Sequence, residues 1–217
     1  ISYDEMLEMA SSGSKVMQSR SVEFAKKFGV IFEVRSSLNN NPGTLVMEEK
    51  QHMEAVVIRG VSLERNQAKV TIGQVPDKPG FACCIFNALS KAQIIIDMIV
   101  QNTSEANVTD ISFTLHRDEL RKAKKVLAEA VKSLGCEVRL TSEEGVAKVS
   151  AVGIGMRSHS GVAAKMFNSL AEANINIKMI STSEIKTAVI VNEDQVEAAA
   201  RAVHDGFGLA QADFLRS

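Results

Sequence analysis

The chain has 217 residues, 45% of them hydrophobic and 24% charged, with 25 Lys and Arg set against 26 Asp and Glu. That is enough to bury one large or two small cores, and it excludes a disordered chain. A net charge of -1 supplies no field for a phosphate backbone or an anionic leaflet, so nucleic acid and membrane are excluded as dominant partners.

The longest apolar runs are interrupted by Gln93, Asp97 or Lys165, short of the roughly 20 residues of a spanning helix. The opening ISYDEMLEMASSG has neither the basic n-region nor the apolar h-region of a secretory signal. A cytoplasmic protein is expected, and an initial Ile in place of Met suggests the interior of a longer polypeptide. Cys83, Cys84 and Cys136 lack the spacing of a disulfide or zinc site and read as buried structural thiols. No metal site is expected.

In chain order, Lys15 to Phe28 has helical spacing and stops at Gly29, and Val30 to Val34 is strand-like. NNNPG, from Asn39 to Gly43, reads as a boundary turn. Glu54 to Val61 is a further strand.

From there the sequence repeats. Gly80 to Ile99 aligned on Gly161 to Ile180, at a constant offset of 161 - 80 = 81, agrees at ten of twenty positions. Two copies of one module are therefore present. In the first copy Val70 and Ile72 mark a strand that then turns. Ala82, Ile85, Phe86 and Leu89 fall on one helical face, as do Ala163, Met166, Phe167 and Leu170 in the second copy. Strands are expected over Ile94 to Val100 and Ile111 to Leu115. A helix follows from about Leu120 to Leu134 with Gly135 as its stop, then a strand from Cys136 to Leu140. This β-α-β-β-α-β order is the ferredoxin-like plan, so the fold class is α+β with two such modules. Thr141 to Gly145 reads as a short polar linker. In the second copy Lys186 to Val191 is the third strand, and Asn192 with Gln195 resembles a capping box before a helix carrying Val196, Ala199, Ala200 and Val203.

No nucleophile, metal or nucleotide motif is complete; in Gly153-x-Gly155 the required third glycine is replaced by Ser158. What recurs is a loop ending in glycine where a helix begins, PDKPG and MRSHSG. The amides of a first helical turn and the positive dipole end can hold a carboxylate, and Asp77 could face an ammonium group. Together they describe an amino-acid zwitterion. The plain alternative is a turn with Pro79 near a helix start.

VRSSLNNNPGTLV (34 to 46), VPDKPGFA (75 to 82), IDMIVQN (96 to 102), GMRSHSGVAAKMF (155 to 167) and INIKMISTSEI (175 to 185) are similar to the regulatory region of aspartokinase, with its two ACT domains. The resemblance implies that residues 1–45 are the C-terminal end of the kinase catalytic domain. It implies a first ACT domain over 66–140, inserted into a second made of 50–65 and 145–217. The parent enzyme would phosphorylate aspartate with ATP and Mg²⁺, and this fragment alone would hold no cofactor and be catalytically inactive. Threonine, lysine or both would bind and inhibit. The implied effector contacts are Asp77, Gly80, Phe81, Ala82, Ile95, Ile96, Asp97, Gln101 and Asn102 from the first copy, and Val162, Ala163, Asn176, Ile177 and Ser183 from the second. Ile95 stands where many members have Asn. The implied partners are a second copy, joined through the ACT sheets, and the kinase domain or subunit; Met53 is placed where an internal start would fall. The rival reading is a ligand-free ACT dimerisation module.

Overall fold

The computed structural model describes residues 1–50, 56–103, 108–133, 135 and 138–210. Met53, the first two residues of the strand expected from Glu54, and Leu134 and Cys136 lie outside the described residues. Among the described residues, six α-helices and eight strands are arranged in two compact units. One unit comprises Ile1–Glu64, Lys148–Val191 and Gln195–Ser217, and the other Arg65–Ala147 with Asn192–Asp194.

In the second of these units, strand β3 (Gly60–Pro76) enters from Arg65, followed by α3 (Phe81–Lys91), β4 (Ile96–Thr103), β5 (Val108–His116), α4 (Leu120–Ser133) and the first part of β6 (Arg139–Val152). The strand order β4-β5-β3-β6, with β5 antiparallel to both β3 and β4, is the ferredoxin-like arrangement. Its core is one apolar cluster in which Ile85 and Leu89 of α3 and Ala123 and Leu127 of α4 cover Val70, Ile72, Phe113 and Leu115 of the sheet. The helix faces predicted from spacing are the faces that are buried. Phe86 meets Phe113 edge-on, with ring centroids 5.7 Å apart.

β3 differs from expectation. The strand does not turn after Ile72 but runs on to Pro76, and a register shift between Ile72 and Val75 marks a bulge. Gln74 adopts φ 61 there, and its N–H donates to Asp110 Oδ1 at 3.0 Å. The extra residue explains why Ile72 and Val75, three apart, are both buried.

The other unit carries the rest of β6, α5 (Val162–Glu172), β7 (Met179–Thr182), β8 (Lys186–Asn192) and α6 (Val196–Gly206), in strand order β3-β6-β8-β7. Its fourth strand is the beginning of β3: of the strand expected over 54–61 only Gly60 and Val61 are in strand, residues 56–59 being irregular, and the strand expected near Val70 belongs to the same 17-residue element. Thr141 to Glu144 likewise belong to β6 and not to a linker; their polar side chains sit on a strand that alternates in exposure before becoming fully buried at Val146. α6 begins after a 3-10 turn over Glu193–Gln195, which separates Asn192 from the helix, and Gln195 is the N-cap residue of α6.

The same unit contains α1 (Tyr3–Ser11), α2 (Ser19–Phe28) and the antiparallel pair β1 (Phe32–Val34) and β2 (Thr44–Val46). NNNPG lies in the loop joining these two strands. Tyr3, Met6, Val22 and Val46 form their small core. α2 ends at Gly29 with φ 63, the left-handed stop that the sequence signals. α1 has no counterpart in the sequence-based expectation, although Ser2-x-x-Glu5 is a capping-box pattern and both of its hydrogen bonds are made. Among the described residues no helix is long and apolar enough to cross a membrane.

Candidate functional site

The end of β3, the PDKPG turn and the start of α3 form one side of a cleft of about 330 Å³. Pro76, Asp77, Lys78, Pro79, Gly80, Phe81 and Ala82 line it from this side, and Gln101 of β4 with Thr109 and Ile111 of β5 close it. Strand pairing fixes the juxtaposition: Val75 is opposite Thr109, and Gln101 is opposite Ile111.

Gly80 is the N-cap of α3 at φ 102 and makes no side-chain cap. Left-handed backbone of this kind favours glycine, and a Cβ there would meet nothing within 4 Å. The space beside the helix start is therefore open. The first helical bond runs from Cys84 N–H to Gly80 O at 2.9 Å, which leaves the amides of Phe81, Ala82 and Cys83 outside the helical ladder. Asp77 and Lys78 are exposed at the mouth, and Lys78 N–H donates to Pro76 O at 2.8 Å within the turn. The cleft thus offers a carboxylate, an ammonium group, a side-chain amide and the positive end of a helix on an apolar floor, a donor set able to hold both ends of a small zwitterion.

Of the residues expected at the first site, the cleft brings together Asp77, Gly80, Phe81, Ala82 and Gln101. It does not include Ile95, Ile96, Asp97 or Asn102. From Ile95 into β4 the exposure alternates: Met98 is buried and Ile96 packs against the core, while Ile95, just before the strand, and Asp97, Ile99 and Gln101 within it are exposed. Asn102 is exposed and its carbonyl accepts from Thr109 Oγ1 at 2.9 Å. Thr109 and Ile111 escaped the sequence reading because hairpin register is not written in either strand alone.

In the second copy Gly161, at φ 85, starts α5 as Gly80 starts α3, again without a side-chain cap. Val162 is buried, Ala163 and Ile177 are half-buried, and Asn176 and Ser183 are exposed. None of these five lines the cleft. Ser183 N–H donates to Lys186 O at 2.7 Å. Cys83 is exposed, correcting the expectation of buried thiols: the helical face is set by Ile85 and Leu89, and Cys83 lies off it, accepting from Asn87 Nδ2 at 3.2 Å. Among the described residues no three His, Cys, Asp or Glu side chains converge as metal ligands would.

The ACT domain family matches residues 70–131 and 149–207. An aspartate kinase of Pseudomonas fluorescens is 49% identical over 210 residues, which are 96% of this chain and 51% of that protein. A chain in a crystal structure of aspartokinase alpha and beta subunits is 46% identical with a TM-score of 0.65, and the match covers 70% of this chain and 99% of that one. The chain belongs to the aspartokinase family, in its ACT-domain regulatory region. The ligand-free regulatory subunit of aspartate kinase from Thermus thermophilus is 36% identical, TM-score 0.65, over 69% of this chain and 98% of its own. E. coli aspartokinase III in complex with lysine and aspartate is 26% identical, TM-score 0.71, over 96% of this chain and 46% of its own. The chain spans about half the length of the curated relatives it matches. Within the aspartokinase frame, PDKPG and MRSHSG are the glycine-ended loops of the two ACT repeats.

Proposed function

We propose that this chain is the feedback sensor of an aspartate kinase and binds an end-product amino acid, threonine or lysine, in the cleft at the PDKPG turn. The observation that carries the reading is the convergence of Asp77, the α3 N-terminus and Gln101 on one cleft. The effector's α-carboxylate would take the amides of Phe81 and Ala82, its α-ammonium would face Asp77, and Gln101 would read its side chain. The E. coli aspartokinase III complex with lysine supports an amino-acid effector for the family. Val162, Ala163, Asn176, Ile177 and Ser183 would serve a second site at the MRSHSG loop, and Ile95, Ile96, Asp97 and Asn102 would complete the first from the β4 side.

The parent enzyme would transfer the γ-phosphate of ATP, with Mg²⁺, to the β-carboxylate of aspartate in the cytoplasm, using groups outside this chain. Residues 1–45 would be the end of its catalytic domain, with 66–140 as the first ACT domain and 50–65 with 145–217 as the second. An apolar surface supports this partner: Phe24 and Phe28 stack 6.3 Å apart and are more than half exposed, as are Val30 and Ile31. Inhibition then requires that the effector bind one arrangement of the enzyme better than the other.

Isothermal titration with threonine and with lysine tests the reading. Asp77→Ala and Gln101→Ala should each weaken binding by about tenfold or more, the loss of one charged or polar hydrogen bond. Unchanged affinity in both variants would remove this site. A second reading, a ligand-free dimerisation module, is favoured by Ile95, 78% exposed immediately before the outermost strand β4; it predicts a dimer whose melting temperature no amino acid alters.

A further inference from the structure

Glu5, at the start of α1, is fully buried, and its carboxylate accepts three hydrogen bonds. Oε2 accepts from the N–H of Ser2 at 2.9 Å and its hydroxyl at 3.2 Å. Ser2 Oγ in turn accepts from Glu5 N–H at 3.1 Å. These are the local, capping-box contacts. Oε1 instead accepts from the backbone N–H of Ile154, 149 residues away in the chain, at 2.9 Å.

Ile154 opens the 3-10 turn Ile154–Arg157, the first part of the loop that delivers Gly161 to the start of α5. The loop is braced elsewhere as well. Gly153 N–H donates to Ile185 O at 3.0 Å, and Arg157 pairs with Glu49 at 3.2 Å and Glu184 at 3.5 Å. His159 Nδ1 lies 2.8 Å from Gly155 O. Among these braces only Glu5 reaches α1. Its two oxygens close two ends at once, the N-terminus of α1 and the first N–H of the loop. A buried charge-assisted bond is strong, and a buried N–H left unsatisfied is costly. The loop therefore cannot leave Ile154 in a new place without either stranding that N–H or pulling the carboxylate from the helix cap.

We propose that Glu5 is a positioning residue that couples the glycine-ended loop of the second repeat to α1. A ligand that reorders residues 153–161 then changes the cap of α1. α1 passes the change on through Lys26 to Asp4 at 2.5 Å, Tyr3 N–H to Met47 O at 3.0 Å, and the Tyr3, Met6, Val22 and Val46 core. These contacts lie in or beside the segment that the proposed function assigns to the catalytic domain. The ligand in this scheme rests on that reading; the coupling does not.

Hydrogen exchange by mass spectrometry on the 217-residue chain tests it, since exchange reports local opening segment by segment. Glu5→Gln keeps the shape but offers a single carbonyl oxygen for which the Ser2 and Ile154 donors must compete, so both ends are weakened. Ser2→Ala weakens the cap and leaves Ile154 bonded. Without ligand, Glu5→Gln should speed exchange over 154–157 about tenfold or more and also loosen α1, whereas Ser2→Ala should loosen α1 alone. With saturating threonine or lysine, the wild-type chain should change exchange in α1, and Glu5→Gln should lose that change while keeping the ligand-induced rise in melting temperature. Wild-type exchange over 154–157 in Glu5→Gln, or a ligand response of α1 that survives the substitution, would overturn the coupling. If neither amino acid raises the melting temperature of the wild-type chain, the feedback reading fails and the ligand-free comparison still decides the coupling. Glu5→Asp, which keeps the charge but shortens the arm by one methylene, gives the same readouts should Glu5→Gln not fold.

Discussion

A Cβ placed on Gly153 would lie 2.3 Å from the carbonyl oxygen of Val57 and 2.7 Å from Cα of Ile58. Both neighbours are backbone, so neither can rotate away, and the requirement for glycine is one of space. At Gly80 the requirement is conformational: φ is 102 and nothing lies within 4 Å of an added Cβ. The two substitutions should therefore separate. Gly153→Ala should cost about 1–3 kcal/mol through overpacking. Gly80→Ala should cost about 1–2 kcal/mol from the left-handed backbone alone, and Gly80→Asn should recover part of it because Asn tolerates positive φ. Thermal denaturation of the three variants checks this, and a Gly153→Ala chain as stable as wild type would contradict the close approach. At this scale the glycines of PDKPG and MRSHSG were legible as helix starts. The Glu5 to Ile154 bond was not, because a contact across 149 residues exists only once both strands and helix are in place.

The strands β3 and β6 each serve both units, and their polar content explains what the sequence hid. Polar residues in the middle of β3 and at Thr141 to Glu144 of β6 read as interruptions, yet strand pairing needs only backbone, and exposed faces accept polar side chains. The helices were easier to read, since Ile85 with Leu89 and Leu120 with Ala123 and Leu127 declare a face that only burial satisfies. One polar pair is deeper than any pattern indicates. Lys148 on β6 is buried, with its ammonium 2.9 Å from Glu64 Oε2 on β3, where the carboxylate side chain keeps some exposure. Removing the carboxylate by Glu64→Ala should destabilise the chain by on the order of 3 kcal/mol, because a desolvated ammonium loses this counter-charge. Lys148→Met should be close to neutral, since an apolar side chain of similar length removes the desolvation cost together with the pair. Chemical denaturation of both variants would decide the point; equal losses would mean that the ammonium has a positive role of its own.

At the scale of the whole molecule, the two repeats end on equivalent strands. β4 is the outermost strand of one unit and β7 that of the other, and Ile99 and Ile180, related by the repeat offset 180 - 99 = 81, are both exposed, at 51% and 42%. An outer strand with free backbone groups and an apolar row is a template for pairing with another chain, unless charge or a bulge blunts it. β4 is the longer edge, eight residues against four in β7, and the exposed Ile95 immediately precedes it; Asp97 is a single charge, and the bulge between Ile96 and Ile99 leaves the strand paired from Ile99 to Thr103. If two copies join sheet to sheet, β4 is then the favoured edge and Ile99→Lys should disrupt it. A lysine there would have to be desolvated in the pair, which is the device by which natural edge strands avoid association. Sedimentation equilibrium over micromolar concentrations should show a dimer for the wild-type chain, a dissociation constant raised at least tenfold for Ile99→Lys, and a smaller effect for Ile180→Lys. A wild-type chain that is monomeric throughout would exclude this association in the isolated chain. A dimer indifferent to Ile99→Lys but sensitive to Ile180→Lys would move the interface to β7.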